Sequence, residues 1–218
     1  STFKEVSNYS KLDSLGRFEI KVPLINSTEV FMDWKHTYIN TVLEPGETYY
    51  LLYDFKAGHA IFMGKNCRLQ NELLAHPIPM IDAEYAGKYE NKVPAQEMMQ
   101  ILESRYKEAE GNLRKQIEKS ASISKCYQEY AARYLLCSYA SSILQGAYRV
   151  KDHIFPQEYV SQMEKIWKEI PQPYTQFRDY NMLTNDLIGQ ERRLKYSTPM
   201  GKASGFLSTN SYPELLKK

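Results

Sequence analysis

The chain has 218 residues and a mass of 25.5 kDa, with 43% hydrophobic and 25% charged residues. These values exclude wholesale disorder and collagen-like repeats, and they allow a substantial core. A net charge of +2 is too small to predict a nucleic-acid surface, and no apolar run approaches the ~18 residues of a membrane span. Three cysteines are too few for a disulfide scaffold.

The two ends of the chain carry little pattern of their own. Ser1 is not followed by a basic start and an apolar stretch, so no signal peptide is visible. Because no initiator Met is present, we expect a mature or trimmed form, and the absence of a signal peptide does not predict a cytoplasmic location. The segment 197–218 is rich in Ser and Gly, and we expect a loosely ordered tail or a linker.

The first part of the chain, 17–63, has the pattern of short antiparallel strands. Arg17 to Val22 alternates polar and apolar residues, which is typical of a half-buried strand. Turn signals separate the segments, and in one of them Pro45 and Gly46 occupy the central positions expected of a type II turn. The strands predicted after the first are 30–34, 38–43, 48–53 and 60–63.

From about Pro94 the hydrophobic period becomes helical. One apolar stripe runs through the first predicted helix, and Pro94 is placed at its first helical position: Met98, Leu102, Tyr106, Ala109, Leu113 and Ile117. Further helices are predicted over about 122–148, 156–170 and 175–195, and short links between them favour an antiparallel bundle.

The predicted fold class is therefore α+β, with a small antiparallel β-sheet or sandwich domain followed by an all-helical, bundle-like domain. The expected boundaries are 1–75 for the β-domain, 76–93 for a linker and 94–196 for the helical domain, with a short helix over 71–75. Residues 1–90 carry a net charge of −3 and residues 91–218 a net charge of +5, so neither part predicts a nucleic-acid or membrane surface.

No motif for catalysis, for a cofactor or for a metal is present. Cys67, Cys126 and Cys137 form no C-x-x-C pair; we interpret them as packed residues, and a reactive thiol stays an alternative. The four histidines lack metal-ligand spacing. Gly58 to Asn66 has a superficial likeness to a phosphate loop, but its spacing is wrong and a hairpin turn followed by a strand is favoured.

Aromatic residues are the one compositional excess, with 18 Tyr in the chain. Tyr127, Tyr130 and Tyr134 fall on one helical face, where core packing is the first interpretation. The alternative is an aromatic surface for a glycan or a peptide, to which aromatic residues of the predicted sheet would also belong: Trp34, Tyr38, Tyr49, Tyr50 and Tyr53.

Three segments in order resemble a known family. Asp13-Ser14-Leu15-Gly16-Arg17-Phe18 opens the β-region, Leu43-Glu44-Pro45-Gly46-Glu47 forms a turn, and Phe62-Met63-Gly64-Lys65-Asn66 precedes a short helix. Together they resemble the N-terminal β-domain of cell-envelope thiol–disulfide oxidoreductases of the TlpA/ResA type found in Bacteroidetes, over about residues 12–75. In that family a helical region leads to a thioredoxin domain with W-C-x-x-C, which this chain lacks, so no redox residue is carried over.

The resemblance implies a periplasmic or lipid-anchored location in the cell envelope. The preferred hypothesis is a non-catalytic accessory region that positions a redox domain, dimerises the protein or binds its client. The alternative is a free-standing envelope protein that binds a glycan or a peptide. A cryptic hydrolase would need a nucleophile, a base and oxyanion donors that converge in space.

Overall fold

In the computed structural model, two β-hairpins come first in the chain. The structure describes residues 9–34, 37–78, 81, 88–89, 92–146, 151, 161–162 and 165, with only the backbone at 34, 37 and 144–146. Strands β1 (Thr28–Trp34) and β2 (Thr37–Leu43) form one antiparallel pair, and β3 (Tyr50–Asp54) and β4 (His59–Met63) form the other. In the described residues each sheet has two strands, and four of the five predicted strands are confirmed within two residues at their ends.

The predicted strand Arg17–Val22 is wrong. The segment has no strand ladder, although its alternation of polar and apolar residues is clear. The chain just before this segment forms a turn at Asp13, whose Oδ1 accepts hydrogen bonds from the backbone N–H groups of Leu15 and Arg17 at 2.8 Å each. Ser10 Oγ then donates to Glu19 O at 2.9 Å. An alternating sequence becomes a strand only beside a partner that accepts its backbone hydrogen bonds, and β1 pairs with β2 instead.

The predicted type II turn between β2 and β3 is confirmed. The φ angle of Gly46 is 78°, and Glu47 N donates to Glu44 O at 3.3 Å. Gly64 after β4 has a φ of 144°, and a Cβ on it would lie 2.9 Å from Thr48 O, so two backbone segments approach closely there. Gly46 is needed because of its backbone conformation. Gly64 is needed because of its backbone conformation and also because a side chain would have no space there.

Helix α1 (Arg68–Ala75) follows the second hairpin and packs on β2 and β4. Its Asn71 side chain forms two hydrogen bonds with the backbone of Phe62: Phe62 N donates to Asn71 Oδ1 and Asn71 Nδ2 donates to Phe62 O, both at 2.8 Å. The amide thus pairs with β4 as a neighbouring strand would. Gln70, also buried, donates from Nε2 to Val42 O in β2 at 2.7 Å.

Helices α2 (Ala95–Lys119) and α3 (Lys125–Gly146) pack against each other and supply most of the core. The predicted stripe of α2 is confirmed, because Met98, Leu102, Ala109 and Leu113 are buried. Pro94 is the N-cap of α2 rather than its first helical residue: its backbone is extended, and its carbonyl accepts the first helical bond from Met98 N at 3.0 Å. Proline suits this position because its missing N–H has no helical partner to lose.

The chain is thus an α+β structure, as predicted, although its helical part is limited in the described residues. Val42 of β2 belongs to the same buried cluster as the side chains of α2 and α3. The predicted helices over 156–170 and 175–195 and the tail 197–218 lie outside the described residues, apart from 161–162 and 165. None of the helices that the structure describes has the length and apolarity to cross a bilayer.

Candidate interaction surface

The outer face of the second hairpin is apolar and exposed. Directly opposed residues of an antiparallel pair share a face, and here the pairs are Tyr50 with Met63 and Leu52 with Ile61. The four side chains are 65%, 44%, 60% and 49% exposed, in that order. The opposite face carries Phe62, which is buried. Buried and exposed side chains therefore alternate along these strands, as expected of a half-buried sheet. The exposed side chains, however, are apolar, whereas the solvent face of such a sheet usually carries polar residues.

An acid and an imidazole lie at the turn end of this face. Asp54 and His59 are opposed in the register, directly beyond Leu52 and Ile61. Hydrogen bonds from the backbone N–H groups of Ala57 and Lys56 lower the pKa of Asp54, and the nearby His59 lowers it further. The face thus consists of two apolar rows that end in an acid on one strand and an imidazole on the other.

Exposed apolar side chains are concentrated in the β-region. Among the side chains that the structure describes, the well-exposed large hydrophobic ones all lie between Tyr9 and Met63. Large apolar side chains that lie together on a surface mark sites of association more often than scattered single ones do. We therefore identify the outer face of the β3–β4 hairpin, formed by Tyr50, Leu52, Ile61 and Met63, as the candidate interaction surface, and call it the hairpin face.

The three helical tyrosines that were predicted as part of a ligand surface lie in the core. Tyr127, Tyr130 and Tyr134 are buried in the core, and Tyr127 Oη donates to His76 O at 2.5 Å. Tyr38 is 67% exposed on the first hairpin. Trp34 ends β1, and its side chain lies outside the described residues. In this structure the three helical tyrosines therefore share no exposed surface with Tyr38.

A polar joint fixes the hairpins to the helices. The Glu72 carboxylate of α1 accepts hydrogen bonds from the backbone N–H of Ser124, at 2.8 Å, and from the Ser124 hydroxyl. Ser124 Oγ in turn accepts from Tyr127 N at 3.1 Å, which makes Ser124 the N-cap of α3. Arg68 donates to Glu72 Oε1 at 3.2 Å and to Ser122 O at 2.9 Å. A carboxylate is favoured at this place because a helix N-terminus presents free N–H groups and a partial positive charge.

Two tyrosine hydroxyls resist ionisation near this joint. Burial, with Glu44 second, raises the pKa of Tyr49 to about 12. Burial, with Glu72 second, raises the pKa of Tyr127 to about 12. Both phenols therefore stay protonated at neutral pH, and they act as hydrogen-bond groups.

The three cysteines lie in different surroundings. Cys137 is buried, Cys67 is half-buried and donates to Gly64 O at 3.2 Å, and Cys126 is exposed in the first turn of α3. Partial burial raises the pKa of the Cys126 thiol, and Glu44, Glu72 and Glu129 raise it further. Packing as a small hydrophobic residue describes Cys137 but not Cys126.

The described histidines and carboxylates form no cluster that could hold a metal ion. Within the part of the chain that the structure describes, no group of three or more His, Cys, Asp and Glu side chains has the geometry to hold a metal. His59 lies exposed at the start of β4, His76 caps α1, and His36 and His153 lie outside the described residues. The segment Gly58–Asn66 is the predicted turn and strand, with β4 at its centre.

Comparisons with protein families, curated proteins and solved structures find no match to this chain. The sequence signal for the hairpin face was present, since Tyr50, Leu52, Ile61 and Met63 have period-2 spacing. The sequence pointed to Tyr50 as a possible ligand aromatic but did not predict the face, because the residues between its members, Leu51 and Phe62, are also apolar. Only the register shows which row faces outward.

Proposed function

We propose that this chain is a non-catalytic interaction region of a cell-envelope thiol–disulfide oxidoreductase, which positions the redox domain or binds its client. The observation that carries the interaction role is the exposed hairpin face, formed by Tyr50, Leu52, Ile61 and Met63. A surface of this kind lowers its free energy when another protein surface removes it from water.

The envelope assignment rests on the three motifs named in the sequence. Each motif occupies a position where the backbone needs it: the Asp13 side chain closes the first turn, Gly46 has a positive φ, and Gly64 leaves room for Thr48 O. Because each motif is required by a local backbone conformation, proteins that share these turns are expected to share the motifs. They support the resemblance, and the envelope role follows from that resemblance alone.

The coding sequence on both sides of residues 1–218 tests the proposal. We expect an export signal upstream, with or without a lipid-attachment cysteine, and W-C-x-x-C in a thioredoxin domain downstream. Cell fractionation of the full-length protein should then place it in the envelope. A reading frame without either feature, with the protein in the soluble cytoplasmic fraction, would rule the proposal out.

One observation favours the alternative, a glycan- or peptide-binding protein. On the first hairpin, Phe31 and Tyr38 share an exposed face with Asn40 and Asp33, so that each ring stands opposite a polar side chain. Carbohydrate and peptide sites combine apolar rings with a few polar groups in this way. A glycan array and a peptide library, probed with the chain and with Tyr38→Ala, test it. Tyr9→Ala is the control because Tyr9 is also exposed. Binding that only Tyr38→Ala removes would favour this alternative.

A further inference from the structure

The hairpin face has the size and the charge pattern of an interface with a second copy of this chain. Its four side chains expose roughly 500 Å² of surface, which is within the range of the largest patches on monomers that are often functional. Two such faces, with Asp54 and His59 at their ends, bury about 1,000 Å² together, the lower bound for a specific interface.

The order of residues on the face is self-complementary about one axis. In a face-to-face pair with a twofold axis along the strands, β3 of one copy lies over β4 of the other. Leu52 then meets Ile61, and Tyr50 meets Met63. Asp54 meets His59 of the second copy, twice in each pair because the interface is isologous. Acid and imidazole are complementary groups at the rim.

A twofold axis across the strands gives a different result. It places β3 over β3 and β4 over β4 in the reverse direction, so that Asp54 lies over Tyr50 of the second copy and His59 lies over Met63. Each of the two polar side chains is then covered by an apolar one and has no polar partner across the interface. The acid and the imidazole therefore favour the axis along the strands.

We propose that the hairpin face is a homodimer interface in which β3 of one copy packs over β4 of a second copy, about a twofold axis parallel to the strands. This inference does not rest on the proposed envelope role, because it uses only the side chains of one hairpin. A dimer without an envelope location, or an envelope monomer, would separate the two.

Light scattering coupled to size-exclusion chromatography at about 100 µM chain, above the micromolar range of small interfaces, tests the assembly. We expect a dimer, and we expect Leu52→Lys to raise its dissociation constant at least tenfold. Ile25→Lys is the control because Ile25 is 94% exposed away from both strand pairs. Both substitutions are at exposed positions, and circular dichroism checks that each variant is folded. A monomeric parent chain, or equal loss in both variants, would overturn the proposal.

Disulfide trapping tests the geometry. An equimolar mixture of Leu52→Cys chains and Ile61→Cys chains should form mixed 52–61 cross-links under mild oxidation, identified by peptide mass spectrometry. Mixed 52–61 links in large excess over 52–52 links support the axis along the strands. A predominance of 52–52 links indicates the axis across the strands, and links of neither kind indicate that no second copy lies over the face. Each of these last two results would overturn the proposed interface.

Discussion

At the scale of single residues, two glycines in open space show how the backbone conformation decides which residue a position accepts. A Cβ added to Gly46 or to Gly111 meets nothing within 4 Å, but Gly46 has a φ of 78° in the turn between β2 and β3, whereas Gly111 lies inside α2. An L-residue is strained in the first conformation and favoured in the second. The same chemical change should therefore have opposite effects on stability.

We expect Gly46→Ala to lower the free energy of unfolding by about 1 kcal/mol or more, and Gly111→Ala to raise it by about 0.5–1 kcal/mol. Urea unfolding followed by circular dichroism measures both. Equal effects of the two substitutions would contradict the turn conformation assigned to Gly46.

Tyr49 gives a prediction at alkaline pH. Its pKa of about 12 in the folded chain is above the ordinary value of 10, and the main cause is burial. Between these two values the unfolded state ionises and the folded state does not. The contribution of Tyr49 to stability is therefore full below pH ~10 and is lost as the pH rises toward ~12.

Absorbance at the tyrosinate band, followed through an alkaline titration, should show a late-ionising fraction in the folded chain. Tyr49→Phe should reduce that fraction. A late fraction that survives Tyr49→Phe at full amplitude would be inconsistent with this assignment.

The Cys126 thiol is exposed, but partial burial and the carboxylates of Glu44, Glu72 and Glu129 raise its pKa. Since the thiolate is the reactive form, we expect iodoacetamide at neutral pH to alkylate Cys126 several-fold more slowly than a model thiol. Peptide mass spectrometry measures the rate, and denatured protein is the control in which the difference should vanish. Alkylation of the folded chain as fast as the model thiol would refute the expectation.

At the scale of secondary-structure elements, the joint between α1 and α3 determines how the hairpins meet the helices. Glu72 of α1 accepts two hydrogen bonds from Ser124, the N-cap of α3, and Arg68 contacts the Ser122 carbonyl. These contacts join residues more than fifty positions apart in the chain. Helix α1 is thus bound to β4 by Asn71 and to α3 by Glu72.

We expect Ser124→Ala to lower the free energy of unfolding by about 1–2 kcal/mol, because it removes an N-cap and a hydrogen bond to a carboxylate. Glu72→Ala should have a comparable effect, since its side chain is only 11% exposed. Glu129→Ala is the matched control, because its ion pair with Lys125, at 3.9 Å, is on the surface. Urea unfolding measures all three, and an effect of Glu72→Ala no larger than that of Glu129→Ala would contradict the role of the joint.

The elements differ in how well their sequence predicts them. The stripe of α2 and the turn at Gly46 are predictable, because both depend on residues close in sequence. The structure of the segment Arg17–Val22 is not predictable in this way. A strand needs a partner strand, and the alternation of polar and apolar residues does not show whether a partner is present. The joint at Glu72 is also not predictable, because a glutamate in a short helix is usually exposed. Nothing in the sequence around it indicates that it contacts the start of a helix about fifty residues away.

At the scale of the whole molecule, burial is unevenly distributed. Side chains of α2 and α3 form a packed core with Val42 of β2, whereas the exposed large hydrophobic residues among the described side chains lie between Tyr9 and Met63. Two-stranded sheets are marginally stable alone and depend on packing against other elements. The inner face of the second hairpin has such packing through α1, and its outer face has none in the described structure.

Hydroxyl-radical footprinting of the full-length protein, read by mass spectrometry, tests most directly whether the hairpin face is an interaction surface. The account predicts that Leu52, Ile61 and Met63 are oxidised several-fold more slowly in the assembled protein than in a dilute, monomeric sample, whereas exposed Ile25 keeps its rate. Unchanged oxidation of the face under both conditions would show that no protein surface covers it, and would contradict the account.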